Sequence, residues 1–184
     1  HGRYVIPVIP VLLVMGSGGM STLLHLNTSN FARRLFSRAW AAAIGLLAIA
    51  FWIIGAGAYA RDVQIIETEM VATARWANQN TPPEALIAAH DIGALGYFGQ
   101  RDILDMAGLV SPEVIPFIRD EARLRDWLTA SGADYLVTFP GWYPDLVRPL
   151  AALKVFQTHA PYSPNAGGEN MAVYRWPGSA QILP

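Results

Sequence analysis

The side chains able to do chemistry fall in a few short runs, and the residues around each run decide what it can do. His90-Asp91 sets an imidazole beside a carboxylate, the residue types of a metal ligand set or an acid–base couple. Both stand at the end of a predicted strand, where neighbouring side chains point to opposite faces, so the two do not readily share one ion. The plainer reading makes Asp91 the cap of a following helix, with Gly93 and Gly96 leaving room for a tight turn. Asp105, just ahead of Ala107-Gly108, reads as a turn residue on the same grounds. Gly93-x-x-Gly96-x-x-Gly99 does not have the spacing of a dinucleotide fingerprint. Arg3 and Tyr4 place a cation and a phenol at one end of an apolar stretch. There they either anchor the chain at a lipid interface or, through two guanidinium hydrogen bonds, hold a phosphate. Trp142-Tyr143, following Pro140-Gly141, offers rings that either stack on a sugar or pack internally. Arg119, Asp120, Glu121, Arg123, Arg125 and Asp126 read as a solvated helix face with i,i+4 pairs. With no cysteine there is no disulfide, thiolate metal site or thiol nucleophile, and no metal ligand set is assigned.

The elements that must carry these residues divide at about residue 61. All 14 acidic residues lie at or after Asp62, whereas the residues before Arg61 hold four arginines and no acid. A carboxylate is tolerated in water and costly in a bilayer core, so this asymmetry separates a membrane region, 1–60, from an aqueous one. Mean hydropathy is +0.28 and only 15% of residues are charged, too apolar for an ordinary soluble domain. Two transmembrane α-helices are predicted, over about 4–24 and 39–60. At 1.5 Å per residue the first reaches about 31 Å, against a hydrocarbon core of ~30 Å. Pro7, Pro10, Gly16, Gly18 and Gly19 suit a span that packs against other helices. Arg33, Arg34 and Arg38, without an acid among them, make 25–38 a cytoplasmic loop by the positive-inside rule. Everything beyond Arg61 is then extracytoplasmic. The chain opens on His inside an apolar pattern and is read as the C-terminal piece of a longer protein.

The linker 61–80 is predicted as a helix with an apolar stripe at Val63, Ile66, Met70, Ala74 and Ala77, stopped by Pro82-Pro83. Short strands are predicted over 86–89, 102–106, 135–139, 155–158 and 171–176. Helices are predicted from Ser111-Pro112 through Ser131 and over 144–153, with 163–170 as a loop. The alternation implies a small α/β domain over 81–184 with a mostly parallel sheet, its last strands being candidates for antiparallel pairing.

The run HGRYVIPVIP resembles the segment opening a late transmembrane helix in polytopic membrane glycosyltransferases of the GT-C fold, relatives of the protein mannosyltransferases and the aminoarabinose transferase. The run from His90 to Phe98, continued by Asp105-Met106-Ala107-Gly108-Leu109, resembles the extracytoplasmic C-terminal domain of bacterial members, with its D-x-G-x-x-G-Y-F and D-x-x-G-L segments. The resemblance implies sugar transfer from a polyprenyl-phosphate donor, with the catalytic carboxylate in an upstream loop outside this chain and the soluble domain accessory. It implies a divalent cation in the full-length protein, no cofactor in this piece, and upstream transmembrane helices as partners beside the bilayer and the lipid-linked sugar. Arg3 and Tyr4 would then meet the donor phosphate, and Trp142 and Tyr143 a sugar. No nucleic acid partner is expected, and the chain alone is expected to be inactive in a bacterial plasma membrane. The alternative is a membrane-tethered extracytoplasmic binding or scaffold module without catalysis.

Overall fold

The computed structural model describes residues 8–24 and 31–178, which fall into two compact units, His1–Tyr59 and Ala60–Pro184. Within the first unit lie helix α1, Ile9–Leu24, and most of helix α2, Phe31–Ile65. In α1 the hydroxyls of Ser17 and Thr22 donate to the carbonyls of Leu13 and Gly18, the internal satisfaction a polar group needs in an apolar helix. A methyl added at Gly16, Gly18, Gly19, Gly55 or Gly57 would meet nothing within 4 Å, so these positions make no close helix contact among the described residues.

Among the described residues one helix, Phe31–Asn80, is long and apolar enough to cross a membrane. Helix α1 has 16 residues, about 24 Å of rise, short of a ~30 Å core. The start of the first expected span, with Arg3 and Tyr4, lies outside the described residues. The basic segment is corrected in part. Arg33, Arg34 and Arg38 stand on the opening turns of α2 rather than in a loop, because no Pro or Gly interrupts the chain between Phe31 and Ala39.

The second unit begins on the same helix and changes its winding. Residues Ile66–Val71 form a π-helical segment, followed by α3, Ala72–Asn80. The extra residue per turn rotates the apolar face. Ile66, expected inside, is 47% exposed, whereas Glu69, Val71, Thr73, Ala74 and Ala77 are buried. The alanines let α3 lie close on the sheet, and Trp76 stacks on Phe156 at 4.8 Å between ring centroids. The C-terminal end of α3 is held by Arg101, whose guanidinium donates to the carbonyls of Asn78 and Thr81 and to the Thr81 hydroxyl. A cation there also answers the negative end of the helix dipole. Arg101→Ala is expected to lower stability by about 2 kcal/mol. Arg101→Lys should recover under half, since one ammonium cannot reproduce the planar fork. Chemical denaturation of the full chain in detergent micelles checks both values.

The strands are β1, Leu86–Ala89; β2, Asp102–Asp105; β3, Tyr135–Thr138; β4, Lys154–Gln157; and β5, Ala172–Arg175. Their order is β2-β1-β3-β5-β4. Strand β1 pairs in parallel with β2 and β3, whereas β5 pairs antiparallel with β3 and β4. The sheet is therefore mixed, not mostly parallel. The cause is topological: β4 is laid down one position beyond β3, and the chain folds back to place β5 in the gap. Alternation along the strands builds two cores. Ala88, Leu104, Leu136, Ala172 and Tyr174 face helix α4, Glu121–Ala130, through Leu124 and Leu128. Ile87, Ala89, Tyr135, Val137 and Val173 face α3 and Leu95 of the short π-helical turn Leu95–Gly99. The result is a helix–sheet–helix sandwich.

Remaining segments refine the expectations. Pro112–Phe117 is a 3-10 helix, and the cap that bonds is that of α4, where Asp120 accepts from the Arg123 amide at 3.1 Å. Residues 144–153 divide into α5, Pro144–Val147, and a 3-10 turn, Arg148–Leu153, because Pro149 cannot donate in the second turn. Within 163–170 the chain first makes a helical turn, α6, Tyr162–Asn165.

Candidate functional site

The connections leaving β1 and β2 cover opposite faces of the sheet. Leu95, after β1, packs in one core; Leu124 and Leu128, after β2, pack in the other. Since β2 and β3 flank β1, the chain reverses direction across the sheet at the boundary between β1 and β3. Open α/β sheets leave a crevice outside the carboxyl ends of the strands at such a boundary. Here it is a cleft of about 610 Å³ lined by His90, Ile118, Arg119, Glu121, Trp142 and Tyr143.

Each wall follows from its element. His90 directly continues β1, Trp142 ends the 3-10 turn Pro140–Trp142 that follows β3, and Tyr143 comes next, just ahead of α5. His90 Nδ1 and the Tyr143 hydroxyl lie 2.6 Å apart although 53 residues separate them. The Trp142 ring stands edge-on to the imidazole at 5.1 Å and is tilted on Phe139 at 5.0 Å. Glu121, in the first turn of α4, accepts from the Leu146 amide at 2.7 Å. Gly141 admits a second carboxylate: its amide donates to Glu169 Oε2 at 2.6 Å, and a Cβ there would lie 2.8 Å from Oε1. Trp142 also borders a neighbouring cleft of about 420 Å³, with Met70, Phe139 and Glu169.

Burial, and then the negative charges of Glu121 and Asp105, push the Tyr143 phenol from 10.0 up to about 12. The phenol therefore keeps its proton at neutral pH and shares a hydrogen bond with His90 Nδ1. A folded value above the unfolded one favours the folded state while the phenol is protonated. That contribution is complete below pH 10 and is lost as pH rises through about 12. Tyr174 is also raised, by burial and then by Glu169, so two of the seven tyrosines are expected to ionise late in an alkaline absorbance titration, and Tyr143→Phe should remove the later step.

The expected site residues come out unevenly. Arg3 and Tyr4 lie outside the described residues. Trp142 is 50% exposed and offers a ring face; Tyr143 is 5% exposed and sits in the core, so its ring cannot stack on a sugar. Asp91 makes no cap bond to the turn that follows. Asp105 is a turn residue, fully buried, accepting from the Ala107 and Val110 amides at 2.7 Å each. Gly108 in that turn has φ +77°, and a Cβ would lie 2.6 Å from Ile115. The charged cluster is not a ladder of i,i+4 ion pairs. Asp120 caps the helix, Glu121 turns to α5, Arg123 covers the Phe117 ring at 4.8 Å, and Arg125 donates to the Asp145 carbonyl.

Sequence reasoning missed Glu69. It is fully buried and accepts from the Thr158 hydroxyl, the Met171 amide at 2.8 Å and the Asn170 amide group at 2.9 Å. Spacing at 3.6 residues per turn gave no signal for it, because the π-helical segment turns Glu69 inward and Ile66 outward. The divalent cation implied for the full-length protein finds no group of three or more His, Asp or Glu side chains among the described residues.

These features define a small helix–sheet–helix domain, continuous with an apolar helix and carrying an aromatic and charged cleft at the carboxyl ends of its parallel strands. Residues 58–174 match the family described as Domain of unknown function (DUF8728), and the chain belongs to that family. No curated protein and no solved structure matches it.

Proposed function

We propose that the chain is the C-terminal region of a bacterial membrane glycosyltransferase of the GT-C fold that takes its sugar from a polyprenyl-phosphate donor. The domain after Arg61 is its extracytoplasmic accessory part. The cleft carries this reading. A half-exposed indole beside an imidazole, a carboxylate and a guanidinium is the combination that recognises a sugar: an apolar ring face meets the aromatic, and hydroxyls meet the polar rim. The apolar stretches 4–24 and 39–60 supply two bilayer crossings, and Arg33, Arg34 and Arg38 between them favour a cytoplasmic side there, which puts the domain outside. Arg3 and Tyr4 would hold the donor phosphate.

The test has two parts. Calorimetric titration of this chain in micelles with hexoses is expected to give weak binding that Trp142→Ala reduces roughly tenfold, the loss of one stacking face. Transfer from a polyprenyl-phosphate sugar is expected from the full-length protein and not from this chain, and Arg3→Ala should reduce it sharply. Hexose binding without transfer by the full-length protein would instead favour the tethered binding module, for which the cleft alone suffices. Absence of both would sink the reading.

A further inference from the structure

We infer that the carboxyl edge of the second unit docks on a lipid bilayer, with Leu109, Val110 and Ile115 immersed at the headgroup level and Trp142 left to the cleft beside them. Exposed apolar side chains scattered singly are ordinary. Here they are sorted by position. Leu109 is 75% exposed, Val110 67%, Ile115 56% and Trp142 50%, and all four lie on connections that leave the carboxyl ends of β2 and β3. Tyr162, 41% exposed, follows the carboxyl end of β4. The opposite edge presents Glu84, Asp102, Asp134 and Arg175, all exposed, and its one large exposed apolar side chain among the described residues is Tyr97, a single ring on the turn ahead of β2.

The path of the chain selects lipid as the occupant. Helix α3 ends beside Arg101, which precedes β2 and so marks the amino edge. Ten or so residues earlier, Glu69 is held by Thr158, just after β4, and by Met171, just before the antiparallel β5, both at the carboxyl edge. The helix therefore runs against the parallel strands, and the polypeptide enters this unit at Ala60 from its carboxyl edge. The residues leading into that point, 39–60, carry no charge. A tether that crosses lipid thus emerges at the edge where Leu109, Val110 and Ile115 are exposed next to charged side chains such as Glu113 and Arg119, an apolar and polar mixture that suits a bilayer interface. Leu109 and Val110 are not loosely placed: the turn bearing them is fixed by the Asp105 carboxylate and closed over Gly108.

This inference rests on the reading that 39–60 crosses the bilayer, and the experiment separates the two. The chain has no cysteine, so nitroxide labels at Leu109→Cys, Glu84→Cys and Ala50→Cys each report alone. The full chain is reconstituted into vesicles of phosphatidylcholine and phosphatidylglycerol, and collision of each label with oxygen and with a water-soluble nickel chelate is measured. The expected result is a label at 109 reached by oxygen and several-fold less open to the chelate than the label at 84, with the label at 50 deepest. Labels at 109 and 84 equally open to the chelate, with 50 in lipid, would overturn the docking alone. A label at 109 shielded from both reagents would overturn it in favour of a protein partner. A label at 50 open to the chelate would overturn the crossing and the docking with it.

Discussion

Replacing Glu69 with alanine is expected to destabilise the second unit by about 3–5 kcal/mol, the upper range for losing several buried hydrogen bonds together with a fully buried side chain. The carboxylate is fully buried and is the shared acceptor for the Thr158 hydroxyl, the Asn170 side-chain amide and the Met171 backbone amide. Truncation leaves the buried Met171 amide without an acceptor, at about 1–3 kcal/mol, leaves Thr158 with only a long bond to the Met171 carbonyl at 3.4 Å and Asn170 with the Ala160 carbonyl alone, and opens a cavity beside them. The loss is structural as well as local. Residues 158–171 lead from β4 to β5, and Glu69 is what ties that connection to the helix. Glu69→Gln keeps one acceptor oxygen but turns an NH2 toward donors, so it should lose roughly half as much. Thr158→Val should lose least, removing a donor together with its need. Thermal unfolding followed by near-ultraviolet circular dichroism, on the full chain in micelles, ranks the three. An alanine variant melting within a degree or two of the parent would show that the carboxylate is not the tie described.

How much of this was legible depends on whether a feature is local. The strands were, because runs such as Tyr135-Leu136-Val137-Thr138 are apolar, rich in β-branched and aromatic residues, and bounded by Gly132 and Pro140. The turn role of Asp105 was, because a carboxylate ahead of a glycine bonds its own backbone a few residues on. What failed was set by partners far along the chain. The position of β5 between β3 and β4 depends on a pairing that no local pattern encodes. The stripe through Ile66 and Met70 assumed 3.6 residues per turn, and the π segment shifts the buried face toward Glu69 and Thr73. At the site, adjacency gives Trp142 and Tyr143 one shared reading, rings that stack on a sugar or pack internally, and only burial separates them, with Trp142 half-exposed and Tyr143 buried. Its true partner is His90, and that contact with burial turns it from a surface for sugar into a fixed support for the imidazole.

Leu136→Ala is expected to cost about 2–5 kcal/mol, and the comparison with an equally conservative change elsewhere makes the result informative. Leu136 is fully buried on β3, the middle strand of five, and packs with Leu124, Leu128 and Leu146. Helices on both faces of the sheet leave the strand little freedom to collapse into a vacated volume, which favours the upper half of the range. Leu109→Ala, at 75% exposure, should change stability by less than about 0.5 kcal/mol. Both are leucine truncations, so helix or strand propensity does not separate them; removal from water does. If the unfolding midpoints in micelles diverge as stated, Leu109 spends its apolar surface on something other than the core, as an interfacial residue must. If Leu109→Ala destabilises as much as Leu136→Ala, its loop packs inward, and the apolar edge of the domain ceases to exist as a surface.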